Sequence, residues 1–242
     1  MNTEDHKITV GGLPVYVVRK AIKNLHLGVY PPHGRVRVAA PLRVSDNAVR
    51  LAVIGKLGWI KRQRRRFDAQ PRQSAREMVS GESHFFLGQR YRLHVVQDHG
   101  STKVIVRNKS TIELYVRRGS NVEQRERVLQ HWYRQQLKVL IPPLLQKWQT
   151  ALDSQANEWA IKKMKTKWGA CNVEARRIWV NLELAKKPVQ CLEYIIVHEL
   201  IHFAERHHND NFTALMNKFL PQWKARRAEL NAAPLAHETW SY

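Results

Sequence analysis

A chain of 242 residues, 43% hydrophobic and 25% charged, has the composition of a soluble globular protein and the length for one large domain or two small ones. Its 41 lysines and arginines against 20 acids give a net charge of +21, which favours polyanionic partners: nucleic acid, or the phosphates of a nucleotide. Only two cysteines, no N-terminal signal pattern and no apolar run near the roughly 20 residues of a bilayer span argue against a disulfide scaffold and a membrane partner, so a cytoplasmic setting is expected.

Residues 8–40 read as β-structure. Ile8-Thr9-Val10, Val15–Arg19, Leu25–Tyr30 and Arg35–Ala39 are short β-branched runs, punctuated by Gly11-Gly12, Pro31-Pro32 and Gly34. Ser45 has the chemistry of a helix N-cap, and Ala48, Leu51, Ala52, Ile54 and Leu57 propose an apolar stripe behind it. Gly58 is expected to interrupt that helix before a second piece, Trp59–Phe67. This piece carries Lys61, Arg62, Arg64, Arg65 and Arg66, which form either a solvated face or a phosphate-contacting patch.

Residues 68–84 show no periodicity. Phe85–Val96, Lys103–Arg107 and Thr111–Val116 read as strands, with turns at Gly88 and Gly100. From Val122 a helical pattern sets in through Val128, Leu129, Trp132, Leu137 and Leu140. Pro142-Pro143 should kink or end it, leaving Leu144–Leu152 as a further segment. Ala160–Lys165 and Ile178–Leu182 read as strands around a turn at Glu174–Arg177, and Phe212–Leu220 and Trp223–Leu230 as closing helices. The fold class expected is α+β: a β-rich region over 1–120 with a basic helix, then a catalytic region over 121–242.

Within the second region, His198-Glu199-Leu200-Ile201-His202 is an H-E-x-x-H set. On a helix the two histidines share one face, where neutral imidazoles grip one divalent metal, usually zinc; the glutamate between them is placed to take a proton from water. Leu192, Tyr194, Ile195, Ile196, Val197, Leu200, Ile201 and Phe203 surround the motif, so the helix is buried, and a metal satisfies side chains that are costly there. A third ligand is required. Glu205, His207 and His208 are the candidates, and His208 is preferred because Arg206 and Asn209–Asn211 suggest a turn that brings it back. Cys171 and Cys191 read as small buried filler.

Several segments in order carry a family resemblance: Phe86–Tyr91, Lys167-Trp168-Gly169-Ala170-Cys171, Ile178–Leu182, Pro188, Leu192-Glu193-Tyr194, His198–His202, His208 with Phe212, and Pro221 with Trp223. In these the chain resembles the YgjP-like metallohydrolases, relatives of the SprT and Wss1 zinc proteases. The resemblance implies a zincin-like catalytic half with a small sheet, His198, His202 and His208 as zinc ligands, and Glu199 as catalytic base. Thr213 stands where the family often has tryptophan.

Three functions follow. The leading expectation is a zinc-dependent peptidase, with a strand near Ile178–Asn181 running along the cleft as a sheet edge that takes up an extended peptide. The second is a zinc hydrolase of nucleoside triphosphates, favoured by cations such as Lys162, Lys163, Lys165 and Lys167 near the zinc. The third is a basic nucleic-acid-binding protein with a DNA-associated protease role. Composition and motif give no oligomeric state.

Overall fold

The computed structural model describes residues 5–30, 34–69, 76–164 and 167–232. Among them are three small sheets and six α-helices, a mixed α+β architecture. No helix there is long and apolar enough to cross a membrane. The described residues up to 69 form one compact unit, and those from 76 to 232 a second.

In the first unit, β1 (Asp5–Val10), β2 (Leu13–Lys20), β3 (His26–Tyr30) and β4 (Arg35–Pro41) form a sheet in the order β1-β2-β4-β3. Gly11 and Gly12 both take positive φ (+55° and +76°), which closes the two-residue turn that sets Val10 opposite Leu13. One face of the sheet, with Ile8, Val15, Val17, Val36 and Val38, is fully buried under two helices.

Helix α1 (Asp46–Ile54) starts where expected, with the Ser45 hydroxyl accepting from Ala48 N at 3.3 Å. Its stripe differs from the sequence reading. Val49 and Val53 are buried, whereas Leu51 is 70% exposed and Ile54 52%. The cap sets the phase of the helix, and the four-residue repeat of Val49 and Val53 is what reaches the sheet. The break also lies earlier than expected. Gly55 ends α1 by donating to Leu51 O, and Gly58 sits inside α2 (Leu57–Ala69), which buries Ile60. Lys61, Arg62 and Arg65 are exposed on α2; the expectations for the side chains of Arg66 and Phe67 lie outside the described residues.

The second unit opens with β5 (Ser83–Phe86), β6 (Gln89–Asp98), β7 (Lys103–Arg107) and β8 (Thr111–Arg117), ordered β5-β6-β8-β7. The run read as Phe85–Val96 folds back at Leu87-Gly88. Gly88 (φ +82°) has no room for a side chain, since a Cβ there would lie 2.6 Å from Pro188.

Helix α3 (Val122–Leu152) begins with a reciprocal cap: Asn121 Oδ1 accepts from Gln124 N at 2.9 Å, and Gln124 Oε1 from Asn121 N at 3.0 Å. It then runs unbroken for 31 residues through Pro142-Pro143, against expectation. Leu129, Tyr133, Leu137, Ile141, Leu145 and Trp148 keep one continuous buried stripe across the prolines. Both prolines, with Lys138 and Val139 whose carbonyls lose their donors, are exposed, so the missing bonds fall on the solvent side, where they cost least. This stripe packs in one core with Ile112 and Leu114 of β8, so position 120, the boundary expected from sequence, lies inside the second unit.

The third sheet contains β9 (Glu158–Lys162), β10 (Gly169–Asn172) and β11 (Arg177–Asn181) in the order β10-β11-β9. The strand read as Ala160–Lys165 is shifted towards the N-terminus, and Lys165 lies outside the described residues. The expected edge strand, Ile178–Asn181, is instead the centre of the sheet. Its buried Ile178, Val180 and Asn181 need neighbours on both sides, and β10, a segment too short and glycine-containing to show strand periodicity, provides one edge. A 3-10 turn (Leu182–Lys186) leads into α4 (Val189–Ile201), followed by α5 (Asp210–Phe219) and α6 (Trp223–Ala232).

Candidate metal centre

Helix α4 is apolar all round and is the most enclosed helix of the second unit, with nine of its residues buried. Glu193 fixes its position. The carboxylate accepts from Lys147 Nζ (2.8 Å) and Trp148 Nε1 (2.9 Å) of α3 and from Arg226 of α6 (2.6 Å). One acid therefore ties three helices, and these cations hold its pKa below the usual glutamate range against the opposing effect of burial.

The helix ends at Ile201, and the chain turns back over residues 203–209. Asn209 then caps α5 by accepting from Phe212 N at 2.9 Å. This turn delivers His208 to the face already holding His198 and His202. The ligand atoms of the three histidines lie within 4.8 Å of one another, and the Nε2 atoms of His198 and His208 are 3.0 Å apart. Two nitrogens on a tetrahedral zinc at about 2.0–2.1 Å are separated by about 3.3 Å, close to the His198–His208 distance.

The surroundings orient the rings. His202 Nδ1 donates to Glu205 O at 3.0 Å, which leaves Nε2 as its free donor atom. The Phe212 ring stands 4.7–4.9 Å from all three imidazoles and closes their apolar side. Burial, reinforced by the neighbouring imidazoles, pushes His198 down to about 3, and burial also lowers His202. Both rings are therefore neutral at physiological pH, the form a metal requires. The other two candidates are placed elsewhere: Glu205 accepts from His207 N at 3.1 Å, and His207 is exposed and outside the cluster.

Glu199 is 5% exposed, and burial raises it to about 7, against the pull of the Cys171 thiol and the Lys167 charge. The Cys171 thiol is pushed up to about 12, by burial first and Glu199 second, so it stays protonated and can donate to that carboxylate. Reading Cys171 as filler thus misses its place beside Glu199.

A cavity of about 880 Å³ opens over these groups. One wall is β10 with its flanks, Lys167–Glu174; the other is α4, and Arg206 and Arg227 also line it. Tyr194 also lines it, its ring 5.7 Å from that of His198. The sequence reading does not single out Tyr194, yet Tyr194, His198 and His202 are spaced four apart on one helix face, and that spacing is the signal for its place in this cavity. Lys162 lies over the Trp179 ring and Lys163 pairs with Glu126, so of the expected cations among the described residues Lys167 is the one lining this cavity.

No curated protein matches the chain. The sequence model of the family described as YgjP-like, metallopeptidase domain, matches residues 23–233, a span holding α4, the three histidines and Glu199. The chain therefore belongs to the YgjP-like metallopeptidase-domain family, whose name indicates a metal-dependent hydrolase.

Proposed function

We propose that the protein is a zinc-dependent peptidase of zincin-like architecture, with His198, His202 and His208 as metal ligands and Glu199 as general base. Bound zinc supplies a Lewis acid that makes water acidic enough to lose a proton near neutral pH. Glu199 is the acceptor for that proton: its carboxylate is desolvated, held by Cys171, and shifted towards neutrality, where proton transfer in both directions is efficient. Tyr194, kept protonated by burial, and the guanidinium of Arg227 are the donors for the oxygen that gains charge as the carbonyl is attacked.

The observation that carries the peptidase reading is the free edge of β10. Among the described residues it pairs with β11 alone and runs along the cavity wall from Gly169 to Asn172, so an extended peptide can add as a further strand beside the histidines. The test is chelator-sensitive cleavage of a peptide mixture, restored by zinc and lost in Glu199→Gln; no cleavage of any peptide by zinc-loaded protein would reject it.

A second reading is supported by Lys167, Arg206 and Arg227, three cations from three segments around one cavity. These suit a nucleoside triphosphate, hydrolysed by the same activated water. Zinc-dependent release of pyrophosphate without peptide cleavage would make it the function.

A further inference from the structure

The sheet of the first unit has one face packed under α1 and α2. Its opposite face carries a row of cations and aromatic rings crossing all four strands. Lys7 of β1 pairs in register with Tyr16 of β2, Tyr16 with Arg37 of β4, and Arg37 with Gly28 of β3; one step along, Arg35 pairs with Tyr30. The period of two places these side chains together, on the face that also carries Val18 and away from Val15, Val17, Val36 and Val38.

A Cβ on Gly28 would come within 2.6 Å of the Tyr30 ring, so the absent side chain is what lets Tyr30 lie across the strand. The Arg35 guanidinium stacks on Tyr16 at 3.8 Å from its centroid, with Lys7 Nζ at 5.9 Å. Tyr16, Tyr30, Arg35 and Arg37 are all part-exposed, and Lys7 is exposed. The charge of the chain is also concentrated in this unit. Residues 5–69 contain fourteen lysines and arginines against three acids, a net +11 out of +21 for the whole protein.

We propose that this face binds single-stranded nucleic acid, with Tyr16 and Tyr30 stacking on bases and Lys7, Arg35 and Arg37 holding phosphates. A strongly positive surface selects a polyanion. Part-exposed rings on a sheet face favour unpaired bases, whose planes are free to stack, over a duplex whose bases are already stacked on one another. The proposal stands independently of the metal centre, which belongs to the second unit.

The test uses the full chain and fluorescence anisotropy with labelled single-stranded RNA, single-stranded DNA and duplex DNA of one sequence, over a salt series. The expected result is preference for one or both single strands over duplex, with affinity falling steeply with salt. Tyr30→Leu and Tyr16→Leu should each weaken single-strand binding by about tenfold or more with the salt slope unchanged. Lys61→Gln with Arg62→Gln on α2 should reduce the slope yet keep the single-strand preference. Ultraviolet crosslinking of wild-type protein, mapped to peptides containing Tyr16 and Tyr30, reads the same contact without a variant, should Tyr16→Leu fail to fold. Duplex binding as tight as single strand, unchanged affinity in a folded Tyr30→Leu protein, or crosslinks confined to α2 would overturn the proposal.

Discussion

Gly169 has no side chain because Glu199 occupies the space one would need: a Cβ there would lie 2.5 Å from Glu199 Oε1 and 2.9 Å from its Cγ. The carboxylate is thus held between the backbone of an edge strand and its own helix, with Cys171 two residues along β10 beside it. Gly169→Ala must move that carboxylate. Its expected effect is a fall in kcat of about tenfold or more with metal content unchanged, whereas Glu199→Gln should lose about two to three orders of magnitude. Steady-state kinetics alongside metal analysis decides it; full activity in Gly169→Ala would show that the position of the base is not set by this contact.

The three histidines make a stoichiometry prediction. Purified protein should bind about one zinc per chain, and His198→Ala, His202→Ala or His208→Ala should each weaken binding by orders of magnitude. His207→Ala, beside them in sequence but outside the cluster, should bind zinc like the wild type. Equal zinc loss in His207→Ala and His208→Ala would reject the triad.

Glu199 also predicts how the stability of metal-free protein depends on pH. Its folded pKa of about 7 lies above the unfolded value of 4.5, so its neutral form favours the fold. That contribution is complete below about pH 4.5 and is lost as pH rises through about 7. His198 shifts the opposite way, losing stability as pH falls from 6.5 towards about 3, so the two are separated by difference. Metal-free Glu199→Gln should gain on wild type across pH 4.5–7, reaching a difference on the order of 3 kcal/mol. Urea denaturation at a series of pH values measures this; a pH-independent difference would be incompatible with it.

Asn181 should matter more than its remoteness from the histidines suggests. It is 4% exposed; Nδ2 donates to Met164 O and Lys167 O, both at 2.7 Å, and Oδ1 accepts from Glu183 N at 3.2 Å. It therefore straps the segment entering β10 to the end of β11. Asn181→Ala should cost about 2–4 kcal/mol, and thermal denaturation would show it. A change under about 0.5 kcal/mol would mean water replaces the strap.

What was legible in the sequence was local. The helix carrying His198 and Glu199, the capping of α1 by Ser45 and most strands of the first unit follow from periodicity and turn chemistry within about ten residues. Two local signals are overridden by packing. Pro142-Pro143 do not stop α3, because the buried stripe from Leu129 to Trp148 continues past them and the prolines face water. Leu51 and Ile54 are more apolar than the average helix surface residue, yet Val49 and Val53 are what the sheet covers. The order β10-β11-β9 was not readable, since parallel pairing of β9 with β11 spans an intervening strand. The seat of Glu199 and the clamp at Glu193 were hidden for the same reason: both join residues some 30 to 46 positions apart.

The proposed ligands all come from eleven consecutive residues, 198–208, whereas the proposed base rests against a strand thirty positions upstream. Loading and turnover are therefore separable events. A chain in which the β10–β11 hairpin has frayed would still carry its ion and would register as intact in any metal assay, while turning over nothing. Damage by heat, proteolysis or mutation in that hairpin should accordingly yield a metal-replete, inert population, and the fraction of active molecules would have to be counted by turnover.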